Sequence, residues 1–281
     1  MMIRTIFVPL AEGLSTELLL DAALQVAKLT QAHIRAMFIR PEPEAALADM
    51  PGTIIGAGAG EAVERESRRA AAVEKTHFET WQARNSLEGG AGIDTWFATW
   101  AATVGEIENV VALHGRVSDL IVVPHVASGS FSAQRCFDTA VFETGRPVLL
   151  VPEALPFDIT DHLLIAWDGS LEASRAVFGA IPLLRLAKRV TVFTARQHDA
   201  EHADQNNLAD ALSLHDIRVH IMATPKSRMS TGEALVNAAT IQKATLIVMG
   251  AYTHSRLRQS FLGGVTRHLL THAPVPLLMS H

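Results

Sequence analysis

Cysteine, aromatic residues and net charge are all scarce in this chain. One cysteine in 281 residues, Cys136, has no partner for an intramolecular disulfide and excludes a cysteine-rich zinc centre. Aromatic residues make up 6%, with a single tyrosine, while hydrophobic residues reach 48%. That aliphatic balance points to helices packed on buried strands, not to an aromatic-rich β-sandwich. Charged residues at 19% still describe a globular chain and exclude a largely disordered one. With 24 Lys and Arg against 29 Asp and Glu, the net charge is −5, so the basic footprint of a duplex-binding protein is missing and no nucleic-acid partner is expected. No apolar run nears the roughly 20 residues that span a bilayer, so no membrane partner is expected either. The opening MMIRTIFVPLAEG lacks the long apolar region and cleavage site of an export signal. A lone thiol without such a signal fits the reducing cytoplasm.

Catalytic motifs are scarce too. There is no GxxxxGK[ST] phosphate loop, no HExxH and no spacing that suggests a Ser-His-Asp set. No catalytic residue is assigned, and at most slow ATP hydrolysis is left open. His268 and His272 have helical i, i+4 spacing, but Leu269-Leu270-Thr271 between them holds no glutamate. They read as helix-end histidines that suit the negative end of the helix dipole, and no metal is assigned. Cys136, within Cys-Phe-Asp-Thr-Ala-Val-Phe, reads as a small buried hydrophobe.

What the chain has is alternation. Apolar runs at Thr5–Pro9, His33–Ile39, Ile93–Thr99, Leu120–Val123 and Val148–Val151 read as strands of a first half. Leu163–Trp167, Val190–Thr194, Val219–Met222, Leu246–Met249 and Val275–Met279 read as strands of a second. Amphipathic stretches separate them, as in the stripe Leu18, Ala22, Val26, Leu29. Such βαβα order with near-continuous apolar strands predicts parallel sheets covered by helices on both faces.

The halves also repeat each other. GEIENVVALHGRVSDLIVV at 105–123 lies on GEALVNAATIQKATLIVM at 232–249. Arg146-Pro147-Val148-Leu149-Leu150 lies on Ala273-Pro274-Val275-Pro276-Leu277-Leu278 with one gap, and 127 positions separate Pro147 from Pro274. A repeat this long is a whole domain. It divides the chain into domains 1–152 and 161–281 around the turn-prone Glu-Ala-Leu-Pro-Phe-Asp-Ile-Thr. The first half carries an insertion. Pro41–Gly60 reads as a loop rich in Pro, Ala and Gly, and Glu61–Leu87 as a long charged helix, against a much shorter stretch at Gln197–His215.

The first strand of the second half runs into Ala166-Trp167-Asp168-Gly169-Ser170. Its fourth runs into Gly250, followed at fixed spacing by Thr253, Gly263 and Gly264. These stretches resemble the universal stress protein family, whose nucleotide signature is G-x2-G-x9-G-[S/T], and the whole chain resembles its tandem two-domain form. Thr253 stands where that signature has a glycine, and Gly264 where it has a Ser or Thr. The resemblance implies an α/β fold of two tandem domains, each an open, mostly parallel five-stranded sheet of order 3-2-1-4-5 flanked by helices. It implies a crevice at the carboxyl ends of strands 1 and 4, where the chain reverses. It implies an adenine nucleotide there, ATP with or without Mg2+, and a cytoplasmic sensor or regulator of stress. A nucleotide-free interaction scaffold is the alternative.

The candidate binding residues are Asp168, Gly169, Thr194, Gly250, Thr253, Arg256, Gly263, Gly264, Val265 and Thr266. Asp168 would face the ribose or a phosphate-bound cation. The end of strand 2 at Thr194 would cover the base with main-chain groups. Gly263-Gly264 would let the backbone and the N-terminus of helix Val265–His272 approach phosphate, with Thr266 adding a hydroxyl and Arg256 adding charge. Counting back 127 positions puts Cys136-Phe137 in place of Gly263-Gly264 and Thr139 in place of Thr266, and the place after the first strand that matches Asp168 falls near Leu10. The first domain is therefore expected to bind no nucleotide. Its last strand, Pro147–Pro152, is expected to pair with Pro274–Ser280 of the second, as an internal form of the family's dimer, with a homodimer also left open.

Overall fold

The structure is a computed structural model that describes residues 2–44, 58–85, 97–126, 130–155, 158–194, 204–223, 229–251 and 264–281. The first half runs β1 (Thr5–Leu10), α1 (Thr16–Thr30), β2 (His33–Arg40), α2 (Ala59–Arg84), β3 (Ala98–Val104), α3 (Ile107–Gly115), β4 (Leu120–Pro124), α4 (Phe131–Glu143) and β5 (Val148–Val151). The second runs β6 (His162–Ala166), α5 (Leu171–Gly179), α6 (Ile181–Leu184), β7 (Arg189–Thr194), α7 (Gln205–Ser213), β8 (His220–Ala223), α8 (Thr231–Gln242), β9 (Leu246–Gly250), α9 (Gly264–His272) and β10 (Leu277–Ser280).

All ten strands form one sheet of order β3-β2-β1-β4-β5-β10-β9-β6-β7-β8. Read inward from either edge, each half has the order 3-2-1-4-5. Every pairing is parallel except at the seam, where β10 runs antiparallel to β5 with Leu277, Leu278 and Met279 opposite Leu150, Leu149 and Val148. The strands are apolar on both faces because both faces are covered. On one side Leu19, Leu20, Phe78, Trp81, Ala176, Val177, Leu183, Leu208 and Leu212 bring α1, α2, α5, α6 and α7 onto the sheet. On the other, Val111, Phe137, Ala140, Leu235, Ala239 and Leu269 bring α3, α4, α8 and α9.

Local chemistry sets the helix starts. Ser230 and Glu233 form a reciprocal capping box at α8, which satisfies two otherwise orphaned donors. Ser170 caps α5 by accepting from Ala173 N–H at 3.1 Å. The insertion helix is α2, Ala59–Arg84, and its Phe78 and Trp81 pack against Trp100 and the α1 face. The residues read as a loop before it fall at 45–57 mostly outside the described residues.

Two expectations are corrected. The third strand is Ala98–Val104 where apolar content suggested Ile93–Thr99. It lies at the sheet's edge with one face largely exposed, so its alternation is weak, and the bulky residues before it misled the reading. The alignment of prolines also shifts. Ile121 N–H donates to Pro147 C=O, and Ile247 N–H donates to Pro276 C=O, so the counterpart of Pro147 is Pro276, not Pro274. In that register Gly263 and Gly264 correspond to Gln134 and Arg135, and Thr266 corresponds to the buried Phe137. Cys136 and Phe137 are therefore not the glycine counterparts; both point into the core, where burial pushes the Cys136 thiol up to about 12.

At the amino end of β6 the buried His162 ties three elements together. Its Nδ1 lies 2.8 Å from Gln242 C=O, which can only accept, so Nδ1 carries the proton. Nε2, 2.8 Å from Thr191 Oγ1, then accepts from that hydroxyl. The ring is held neutral, and burial keeps its pKa below the ordinary histidine value. Burial lowers His33, His114 and His125 in the same direction. The unfolded chain therefore binds more protons than the fold once pH drops below the unfolded histidine value, and stability is lost on acidification through that value. Between about pH 7.5 and about pH 5.5, above the range where ordinary carboxylates titrate, the melting temperature should fall by about 3–8 °C in thermal unfolding. A flat or rising profile would contradict this.

Candidate functional site

The reversal of strand order in the second half falls between β6 and β9, with β7 beyond β6 and β10 beyond β9. Crossovers leave in opposite directions from these two strands, so a crevice opens at their carboxyl ends. Asp168 follows β6 by two residues, Gly250 ends β9, and Thr194 ends β7. Trp167 N–H donates to Phe193 C=O, and the Thr194 hydroxyl donates to Trp167 C=O at 2.9 Å, which ties the ends of β6 and β7 together.

The turn after β6 is built from three residues with separate tasks. Asp168 Oδ1 accepts from Ser170 N–H at 3.0 Å. Gly169 sits at φ +74°, where a side chain would be strained. Ser170 caps α5. The second carboxylate oxygen of Asp168 accepts from none of the described residues, and neither does any described group accept from the enclosed indole N–H of Trp167. Trp167 and Ser170 are site residues missing from the family signature. Their signal was adjacency, since both lie within Ala166-Trp167-Asp168-Gly169-Ser170.

Gly250 brings β9 against the start of α5. A Cβ there would sit 2.5 Å from Ala173 N and 2.8 Å from Glu172 C, both main-chain atoms. Only glycine allows this approach, and it sets how near the α5 N-terminus comes to the carboxyl end of β9. At Gly264 the opposite holds: a Cβ would meet none of the described residues within 4 Å. Gly264 is exposed, Val265 half-buried and Thr266 buried. Thr266 is thus a largely buried position, as is its counterpart Phe137. Thr253, Arg256 and Gly263 lie outside the described residues.

The first half lacks each of these features. Ile6 and Leu163 hold matching places opposite Leu120 and Leu246. In that register Asp168 corresponds to Ala11, one position beyond the expected Leu10, and Gly250 corresponds to Pro124. Pro9 and Pro124 both remove main-chain donors at the carboxyl ends of β1 and β4. The β1–β4 ladder stops after Ile6 and Phe7, whereas β6 and β9 pair through Ala166 and Met249. At the place of Gly264, Arg135 is held by Glu106 and Glu108, so its charge is already neutralised.

Other polar clusters carry less. A cavity of about 350 Å³ between α1 and α2 is lined by Ser15, Thr16, Glu74, His77, Trp81 and Arg84. Its charges are used internally: Glu74 takes the Thr16 hydroxyl at 2.5 Å and faces His77, and Arg84 binds Glu17 and Asp21. His268 and His272 stack at 4.4 Å, and among the described residues no group of three His, Cys, Asp or Glu is placed to hold a metal. No helix among the described residues is long and apolar enough to cross a membrane.

The Gly250 contact predicts a large effect from a small change. Gly250→Ala forces main-chain movement between β9 and α5, and should cost about 1–3 kcal/mol in denaturant unfolding. Gly264→Ala should change stability by under about 1 kcal/mol, since its Cβ meets none of the described residues. Equal costs would contradict the packing described.

The sequence model of the universal stress protein family matches residues 160–281. Among solved structures, a universal stress protein from Archaeoglobus fulgidus is 15% identical, with 97% of each chain covered and a TM-score of 0.68. A Pseudomonas aeruginosa protein assigned provisionally to the same family is 16% identical over 98% of this chain and 92% of its own, with a TM-score of 0.55. At such identities the likeness speaks for the fold. No curated protein sequence matches the chain. Residues 160–281 belong to the universal stress protein family, and the chain as a whole carries that family's fold twice in one sheet.

Proposed function

We propose that the second half binds one adenine nucleotide, ATP with or without Mg2+, at the carboxyl ends of β6 and β9, and that the first half binds none. The observation that carries this reading is the convergence of Asp168, Thr194 and Gly250 on the point where the strand order reverses. An unspent carboxylate oxygen on Asp168 suits a ribose hydroxyl or a cation on the phosphates. The side-chain-free start of α9 at Gly264 offers main-chain donors and helix dipole to phosphate. The indole donor of Trp167, one residue before Asp168, has no acceptor among the described residues. Gly169, Thr253, Arg256, Gly263 and Val265 complete the proposed set.

In this reading the chain divides into domains 1–152 and 161–281. The first is a structural partner whose site has been replaced by Ala11, Pro124 and Arg135. The protein acts in the cytoplasm as a nucleotide-dependent sensor or regulator of stress. None of the site residues is a placed general base, so hydrolysis, where it occurs, is slow.

Calorimetric titration of nucleotide-stripped protein with ATP and Mg2+ tests the reading. One site per chain is expected. Gly264→Val should abolish it with the melting temperature kept, and Asp168→Asn should weaken it by about tenfold, or ~1.4 kcal/mol. The absence of both heat and a thermal shift at about 1 mM ATP would contradict binding. Two sites per chain would contradict the reading of the first half.

A further inference from the structure

The sheet ends in two unlike edges. At one end β8 has four residues, His220–Ala223. At the other β3 has seven, Ala98–Val104, and the stretch from Phe97 to Gly105 contains no charged residue and no proline. Proteins blunt an open edge with lysine, proline, a bulge or brevity. None of these is present on β3, whose register with β2 runs unbroken from Ile34–Ala98 to Arg40–Val104.

Alternation decides which of its main-chain groups lack a partner among the described residues. Ile34 N–H donates to Phe97 C=O, and Gly105 N–H donates to Arg40 C=O. Between these points the odd-numbered residues of β3 face β2. Ala98, Trp100, Ala102 and Val104 therefore turn their N–H and C=O groups away from the sheet. Trp100 packs on the core, while Thr99, Ala101, Ala102 and Val104 are exposed.

We propose that this edge pairs antiparallel with the same edge of a second copy, about a two-fold axis at Ala101. Outward groups meet outward groups only in registers that bring even-numbered residues opposite each other. The one centred on Ala101 uses all four, for about eight main-chain hydrogen bonds. It sets Trp100 opposite Ala102, large against small, and Thr99 opposite Thr103, a favourable cross-strand pair. It also brings Phe97, 46% exposed, opposite Gly105, which has no side chain to oppose the ring. Every contact is self-complementary, as a two-fold interface requires. Pairing of β3 with β8 would instead use a short strand and propagate an open chain.

Sedimentation velocity of the full chain between about 1 and about 200 µM should show a monomer–dimer equilibrium with a Kd on the order of 10 µM. Ala101→Lys sets like charges against each other at the axis. Ala102→Pro removes only an outward N–H and leaves the ladder to β2 intact. Each should weaken the dimer by at least about tenfold with the melting temperature kept. Hydrogen exchange at Ala98, Trp100, Ala102 and Val104 should slow as concentration rises. A monomer at every concentration, an open-ended polymer, or a dimer that keeps its affinity in either variant would overturn the proposal.

Discussion

Three antiparallel residue pairs, Leu150–Leu277, Leu149–Leu278 and Val148–Met279, join the halves of this chain into one sheet. Each residue is at most 1% exposed, so the seam lies at the centre of the molecule. An open parallel sheet ends in unpaired main-chain groups beside apolar side chains, and pairing two such ends covers both. The packing above the seam follows from it. A Cβ on Gly179 of α5 would stand 2.8 Å from Pro147 Cγ, so the second half's helix rests on the residue leading into the first half's last strand. The Ile159 N–H donates to Gln25 of α1 at 3.1 Å, and the connecting segment is held down by the same arrangement.

Around that seam the halves share apolar chemistry and differ in polar chemistry. Their strands present the same buried aliphatic faces, and both put helices on both sides. The differences gather at the carboxyl ends of the two central strands. There the second half has Asp168, Gly169 and Gly250, where a main chain can come close and one carboxylate oxygen accepts from none of the described residues. The first half has Ala11, Pro124 and Pro9 there, and Arg135 bound by two glutamates. On the proposed reading, one copy keeps the chemistry of a binding crevice and the other only its scaffold.

Much of this was legible in the residues. Buried strands such as Leu120–Val123 and Leu246–Met249 are continuous apolar runs, which is why the strands and the repeat could be read, whereas their order followed from the family resemblance. β3 was misplaced because an edge strand with one exposed face loses that signal. The proline match failed because Val148 aligns with Val275 by letter, whereas the ladder aligns it with Leu277. Identity of side chains is weak evidence where main-chain hydrogen bonds fix the register. The roles of Gly250 and Gly264 were also beyond letters. Both are glycines at signature positions, yet one is required by a 2.5 Å main-chain approach and the other meets none of the described residues. The burial of Thr266 is equally invisible in its letter.

The most direct test of the central claim is a crystal structure of the full chain grown with ATP and Mg2+. The account predicts density for one nucleotide per chain, between Asp168, Gly250 and the start of the Gly264–His272 helix, with none between Ala11 and Pro124. A nucleotide at the carboxyl ends of β1 and β4, or none at those of β6 and β9, would contradict it.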